Sequence, residues 1–201
     1  MSAVRANPSI ERTFQRPLRA LCAAAHVERL TPERAPMARQ SLNTQSLGLV
    51  GWLVSTFAAG SVGAIASARA APFYAQLSQP SWAPPAWLFG PVWSVLYVLM
   101  AVSAWLVWRE RGFKGAPTAL WLFVIQLVAN ALWTWLFFVL HLGALSMAEI
   151  ALLWLLIAAT IFSFWPIHRV AALLLVPYLV WVSFASALTW SLWHLNPAVL
   201  G

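Results

Sequence analysis

The sequence predicts an all-α protein, an integral membrane bundle of five transmembrane helices. Of its 201 residues 62% are hydrophobic and only 8% are charged, whereas ordinary soluble domains carry roughly 25% charged residues. So few polar side chains cannot cover a surface that faces water, and lipid must therefore be the solvent. Five apolar segments follow residue 46, and none alternates with the period of two that a membrane barrel strand requires.

Each apolar segment has the roughly 20 residues that a helix needs to cross a bilayer. Helix is the expected state because a chain in hydrocarbon must satisfy its backbone polar groups within itself. We place one membrane domain at 46–196, with helices at 47–68, 88–108, 117–140, 145–165 and 170–193.

Residues 1–45 are polar, rich in Arg and interrupted by prolines, and we expect them to form a disordered tail. Its basic character also allows a mitochondrial transit peptide, although Glu11, Glu28 and Glu33 oppose that interpretation. A third alternative is that the native protein starts at Met37.

The first apolar segment repeats a small residue at every fourth position. Such spacing lets two helices approach closely, either inside the bundle or across a homodimer interface, and the sequence leaves both open. The residues concerned are Gly51, Ser55, Ala59, Gly63 and Ser67.

Residues 79–97, QPSWAPPAWLFGPVWSVLY, combine four prolines with closely spaced aromatic residues. The prolines predict an irregular, rigid loop that enters the second helix near Trp87. Its rings indicate either a surface for a large flat apolar ligand or an interfacial aromatic belt. They are Trp82, Trp87, Phe89, Trp93 and Tyr97.

The third segment carries Gln126 and Asn130 at i,i+4 spacing, with Trp133 one turn further on. Buried amides cost several kcal/mol in hydrocarbon unless they are hydrogen-bonded. They therefore face either neighbouring helices or a polar group of a ligand.

The fourth and fifth segments add candidate pocket residues. Trp154 and Trp181 face either the pocket or lipid, and Glu149 is expected to reach the interface or pair locally. Ser183, Ser186 and Thr189 form one polar stripe, although hydroxyls also bond back to their own helix.

Ordinary catalytic signatures are missing from the sequence. It contains no HExxH motif, no cysteine cluster beside the single Cys22 and no nucleotide-binding loop, so we expect no metal and no required cofactor. Seven of the twelve basic residues precede position 41, which disfavours a folded nucleic-acid surface. We therefore expect a binding protein rather than an enzyme.

The loop at 79–97 and three later stretches resemble the TspO/MBR family of bacterial and mitochondrial translocator proteins. The later stretches are QLVANALW at 126–133, PYLVW at 177–181 and SFASALTW at 183–190. The resemblance extends from Leu47 to Asn196 and implies a five-helix bundle that binds porphyrins. It also favours a homodimer.

The resemblance assigns roles to individual positions. It implies that Trp93 lines the ligand cavity, that Asn130 is the asparagine of the third-helix motif, and that Ala185 and Leu188 are pocket positions. Trp93 and Trp190 resemble a tryptophan pair implicated in porphyrin photodegradation. One departure is that Trp190 and His194 replace the Tyr and the cation of the animal cholesterol-recognition pattern, which makes specific cholesterol binding doubtful.

We therefore expect a tetrapyrrole such as protoporphyrin IX to be the ligand, stacked on Trp82, Trp87, Trp93 and Trp190. The function would be porphyrin sensing, trafficking or disposal. Light-dependent porphyrin degradation is one alternative. Transport of porphyrins or sterol-like molecules is another, although we expect no inverted repeat, no paired broken helices and no buried ion-coupling acid.

Loop charges predict the orientation of the bundle. One side carries Arg39, Arg109, Arg111, Lys114 and Arg169, and the other carries Arg69. The positive-inside rule then places the N-terminus in the cytoplasm, in a bacterial cell membrane, with the mitochondrial outer membrane as the alternative location.

This orientation makes a testable prediction for the C-terminus. Five spans from a cytoplasmic N-terminus place Gly201 outside the cytoplasm, so alkaline phosphatase fused after Gly201 should be active. A fluorescent protein fused at the same point, which matures in the cytoplasm, should stay dark. The reverse pattern would contradict either the span count or the orientation.

Overall fold

The computed structural model describes residues 42–66 and 70–201. Within them the chain forms α-helices and one 3₁₀ turn, with no strand, which confirms the all-α class. The helices are α1 (Leu42–Ala66), α2 (Ala70–Gln76), α3 (Phe89–Gly115, after the 3₁₀ turn Ala86–Leu88), α4 (Pro117–Phe138), α5 (Gly143–Phe164), α6 (Arg169–Leu174), α7 (Val176–Leu195) and α8 (Pro197–Leu200).

Five stretches are long and apolar enough to cross a membrane, as predicted: α1, α3 with its 3₁₀ turn, α4, α5, and α6 together with α7. α1 begins at Leu42, inside the segment predicted as tail, while residues 1–41 lie outside the described residues. α3 continues past the predicted end at 108 to Gly115. Hydropathy places a boundary where charges begin, whereas a helix continues as long as its backbone bonds are made.

The fifth span consists of two helices because of Pro177. Proline has no N–H to donate and its ring crowds the carbonyl four residues earlier, at Leu173. α6 accordingly ends at Leu174, and α7 begins at Val176 with Pro177 in its first turn. At the start of α6, the Nδ1 atom of His168 accepts a 3.2 Å hydrogen bond from the Ala171 N–H.

The bundle core forms where α4 packs along α5, α1 along α3 and α4, and α5 along α7. Small residues on α3, Ala101 and Ala104, are fully buried and let neighbouring helices approach. Large side chains from the other helices fill the space between them, among them Phe123, Ile157 and Tyr178. The Ser103 hydroxyl ties α3 to α6 by donating to the Ala171 carbonyl at 2.7 Å.

Two residues near helix ends have φ angles in the left-handed region. Gly112 has φ 62° inside the last turns of α3, a conformation that glycine adopts without a steric penalty. The redirected chain stacks Phe113 on Trp52, with ring centroids 6.0 Å apart. His141 has φ 55° in the turn between α4 and α5, and its ring stacks on Phe73 at 4.3 Å.

The packing at Gly143 predicts a clear difference between two Gly→Ala substitutions. A methyl group at Gly143 would contact the Trp193 ring and lie 2.8 Å from the Leu200 backbone oxygen, whereas one at Gly51 would meet nothing within 4 Å. Gly143→Ala should therefore destabilise the protein by about 1–3 kcal/mol. Gly51→Ala should be neutral or slightly stabilising, because Ala favours helix.

Thermal unfolding of both variants in the same detergent measures this difference. Equal midpoints for Gly143→Ala and the wild type would show that α8 does not pack on the start of α5.

Candidate functional site

An irregular cover, residues 70–88, closes one end of the bundle and consists of α2, the proline-rich loop and the 3₁₀ turn. Its internal hydrogen bonds involve side chains. The Tyr74 hydroxyl donates to the Pro84 carbonyl at 3.1 Å, and Gln79 Nε2 donates to the Tyr74 carbonyl at 2.6 Å. Burial raises the pKa of Tyr74, which keeps its hydroxyl protonated and able to donate.

Asn196 fastens this cover to the end of α7. Its Oδ1 accepts from the Ser78 N–H at 2.8 Å, and its Nδ2 donates to the Ser78 carbonyl at 3.0 Å. The same Nδ2 also donates to the Leu192 carbonyl at 2.8 Å. The side chain thus satisfies both backbone groups of Ser78, in a loop whose prolines offer few donors of their own.

Beneath the cover lies a cavity of about 450 Å³, a size within the range of small-molecule sites. α1 contributes Phe57 and small residues, α2 contributes Tyr74, and α7 contributes Trp181 and Ala185. Most of the aromatic wall comes from α3 and α4. The residues from these two helices include Phe89, Trp93, Tyr97, Trp133 and Phe138.

The rings of the wall are fixed by one another. Trp93 stacks on Tyr97 with centroids 5.5 Å apart, and it also meets Tyr178 edge-on at 6.1 Å. Phe89 contacts Trp181 edge-on at 5.9 Å. Such pairs contribute about 0.5–1.5 kcal/mol beyond area burial and present preformed apolar faces to the cavity.

One polar point interrupts this wall. The Tyr97 hydroxyl donates a 2.9 Å hydrogen bond to Oδ1 of Asn130, which joins α3 to α4. The Thr134 hydroxyl, also at the cavity, bonds back to the Asn130 carbonyl at 3.4 Å. None of the described residues that line the cavity is charged. The cavity therefore suits an apolar ligand that offers a hydrogen bond to the Asn130 amide.

The structure brings six of the predicted site residues to this cavity: Phe89, Trp93, Tyr97, Asn130, Trp181 and Ala185. They come from α3, α4 and α7, which the sequence placed in separate predicted helices.

Two of the predicted tryptophans stay on the surface of the cover. Trp82 is 48% exposed with its ring edge-on to Phe184, and Trp87 is 71% exposed on the 3₁₀ turn. Neither lines the cavity. Their exposure fits the alternative interpretation as an interfacial aromatic belt.

Trp190 lies away from the cavity that it was expected to line. It follows Trp181 by nine positions, or about 2.5 helical turns, and therefore projects from the opposite side of α7. Its ring is 50% exposed and packs on His194, with centroids 3.8 Å apart. Trp93 and Trp190 thus do not face one cavity.

Three further predicted residues also lie outside the lining. Leu188 is buried beside Tyr74 in the cluster under the cover. Trp154 lies on the outer side of α5 and donates to the Ser183 hydroxyl at 2.9 Å. Gln126, one turn from Asn130, is fully buried in the bundle, and its amide atoms have no hydrogen-bond partner among the described residues.

Glu149 differs from its expected place near the interface. Its side chain is 6% exposed, and neither carboxyl oxygen has a hydrogen-bond partner within the part of the chain that the structure describes. The carboxyl group lies in the core and does not line the cavity.

The small-residue pattern of α1 divides between two environments. Gly63 is buried, and a Cβ there would lie 3.3 Å from the Thr134 hydroxyl. Gly51 and Ser55 are exposed, and Ala59 is partly buried. Ser67, the last member of the predicted pattern, lies outside the described residues.

Sequence reasoning missed the contributions of α1 and α2. Phe57, Gly60 and Ala64 line the cavity beside Gly63, and Tyr74 closes it from α2. The i,i+3,i+4 spacing of Gly60, Gly63 and Ala64 was the available signal, because small residues leave room for a ligand as well as for a helix.

Fold and cavity together define a class, a five-span helical membrane protein with an aromatic cavity beneath an irregular cover. The chain belongs to the TspO/MBR family, which it matches over residues 52–194. This confirms the family resemblance of its sequence motifs.

Relatives from distant organisms agree with this assignment. The chain is 42% identical to the protein CrtK of Rhodobacter capsulatus over 149 residues, which are 73% of this chain and 91% of the relative. It is 40% identical to the tryptophan-rich protein TspO of Chlorobaculum tepidum over 129 residues, 62% of this chain and 80% of that protein. It is 36% identical to the human translocator protein over 126 residues, which are 62% of this chain and 75% of the human protein.

The Asn196 contacts predict that this residue keeps the cover ordered. Asn196→Ala removes all three hydrogen bonds, so the Ser78 amide should exchange its hydrogen for deuterium at least about tenfold faster. Asn196→Asp keeps only an acceptor for the Ser78 N–H and should give an intermediate rate. Hydrogen exchange followed by mass spectrometry measures both, with exchange in α4 as the internal reference. Unchanged exchange at Ser78 in both variants would contradict the role of Asn196.

Proposed function

We propose that this protein binds a tetrapyrrole such as protoporphyrin IX in the cavity beneath the cover. The observation that carries the proposal is the uncharged aromatic cavity of about 450 Å³ with Asn130 as its polar point. A planar macrocycle has two large apolar faces for Trp93 and Trp181. Its central nitrogens and its rim supply the few polar groups that such a wall can bond.

The energetics of stacking support micromolar affinity. Several aromatic contacts at about 0.5–1.5 kcal/mol each, added to apolar burial, offset the cost of association. Because none of the described lining residues is charged, we propose that the propionate groups of the porphyrin lie towards the membrane interface.

Porphyrin sensing or trafficking is the biological role that we propose. Relatives carry the names tryptophan-rich sensory protein, in Cereibacter sphaeroides, and translocator protein, in humans. We further propose a bacterial cell membrane with a cytoplasmic N-terminus, since Arg109, Arg111, Lys114 and Arg169 share one end of the bundle.

Binding is preferred over light-driven porphyrin degradation. The photochemical alternative was based on Trp93 and Trp190 meeting one porphyrin ring. Trp93 on α3 lines the cavity, whereas Trp190 projects from the side of α7 that faces away from it. Binding needs only the aromatic wall.

Two matched Trp→Ala substitutions test the site. Trp93→Ala removes a ring from the cavity wall, whereas Trp190→Ala removes one from the outer surface of α7. Trp93→Ala should weaken protoporphyrin IX binding by about tenfold or more, and Trp190→Ala should leave it within about twofold. Trp93→Phe keeps a flat ring and should cost about 1 kcal/mol or less.

Equilibrium titration of porphyrin absorbance gives the three affinities, and thermal unfolding of the empty variants checks that each is folded. If Trp190→Ala weakened binding more than Trp93→Ala, the site would lie outside the cavity. If a folded Trp93→Ala bound as tightly as the wild type, the ligand would not stack on this wall.

A further inference from the structure

A second concave surface, the α1–α4 groove, lies on the outside of the bundle and shares no residue with the cavity. Its volume is about 490 Å³. The small residues of α1 form one wall, α4 forms the other, and α3 contributes two large aromatic rings. The residues are Gly48, Gly51, Ser55 and Ala59 of α1, Val124, Leu127 and Val128 of α4, and Trp108 and Phe113 of α3.

The small residues of α1 create this groove, because they leave space that larger side chains would fill. A Cβ at Gly51 would meet nothing within 4 Å, so the helix leaves open space there that a larger residue would fill. Ser55 turns its hydroxyl back to the Gly51 carbonyl at 2.8 Å, which leaves its surface apolar. Gly112, with φ 62°, redirects the chain so that Phe113 stacks on Trp52 beside the groove.

Positive charge borders the groove. Arg109 follows Trp108, and Arg111 and Lys114 flank the Gly112–Phe113 turn. Glu110 is the one acid between them, so the segment keeps a net positive charge. Among the described residues, the cover end of the bundle carries no Arg, Lys, Asp or Glu. The groove is therefore a mainly apolar surface in which the lining residues Trp108 and Phe113 are next to cations in the chain.

We propose that the α1–α4 groove binds an acyl chain of an anionic phospholipid, whose phosphate lies against Arg109, Arg111 and Lys114. The charge of the segment complements a phosphate, and a flexible chain can fill a narrow apolar channel. A second copy of the protein is the competing occupant, because the small residues of α1 also allow close helix approach.

Native mass spectrometry of the full chain, with equal amounts of phosphatidylglycerol and phosphatidylcholine of identical acyl chains, tests this proposal. The wild type should retain phosphatidylglycerol with about tenfold preference. Gly51→Leu and Ser55→Leu fill the groove and should lose the retained lipid. The combined variant Arg109→Gln, Arg111→Gln and Lys114→Gln should keep lipid and lose most of its preference.

Two controls separate this site from the rest of the membrane surface. Ala151→Leu places the same side chain on the exposed face of α5, and Arg169→Gln removes a cation from α6 at the charged end. Both should behave as the wild type. If they reduced lipid retention as much as the groove variants, the lipid would not be specific to the groove.

The same spectra also report whether each variant is a monomer or a dimer. If Gly51→Leu and Ser55→Leu converted a dimer to monomers while lipid preference stayed unchanged, the groove would be a protein interface and the proposal would be wrong. If Gly51→Leu fails to fold, Ser55→Leu decides alone, because residue 55 is exposed and its hydroxyl bonds only within α1.

Discussion

Hydrogen bonding in a solvent that offers no partners shapes this molecule. In the fifth span the hydroxyls of Ser183, Ser186 and Thr189 all bond to carbonyls four residues earlier, at 2.8 Å each. They are satisfied within α7 and have little to offer a ligand. The Tyr97–Asn130 bond is different because it joins two spans at the cavity. Under the proposed binding function, the Asn130 amide would determine selectivity and the surrounding rings would provide affinity.

The cover shows how an irregular segment is tolerated at the end of such a bundle. Four prolines between residues 80 and 91 remove donors, so fewer backbone groups need partners. Asn196 bonds both backbone groups of Ser78, across a sequence separation of 118 residues. Tyr74 and Leu77 add apolar anchoring, because both are buried in one cluster with Phe137, Leu188 and Leu192. The cover is therefore held to the spans by one polar and one apolar set of contacts.

The five spans could be predicted because bilayer thickness sets a length that hydropathy reveals directly. Which side chains face lipid and which face the core could not be predicted. Lipid and core are both apolar, so the periodicity that marks a buried helix face in water is lost. Trp181 and Trp190 illustrate this, because both are large and aromatic and only helical phase separates them. α2 was missed for a different reason: seven residues are too few for a hydropathy signal, and tertiary packing of Tyr74 stabilises it.

The glycines of α1 show that one residue type serves two physical purposes on one helix. Gly51 and Gly60 are nine positions apart and so lie on opposite sides of α1. A Cβ at Gly60 would lie 2.6 Å from the Tyr97 ring, so this glycine permits close packing beside the cavity. A Cβ at Gly51 meets open space, so that glycine provides a concave outer surface. Spacing alone predicts close approach in both cases, whereas the neighbour across each glycine determines whether the missing side chain admits a helix or leaves room for a ligand.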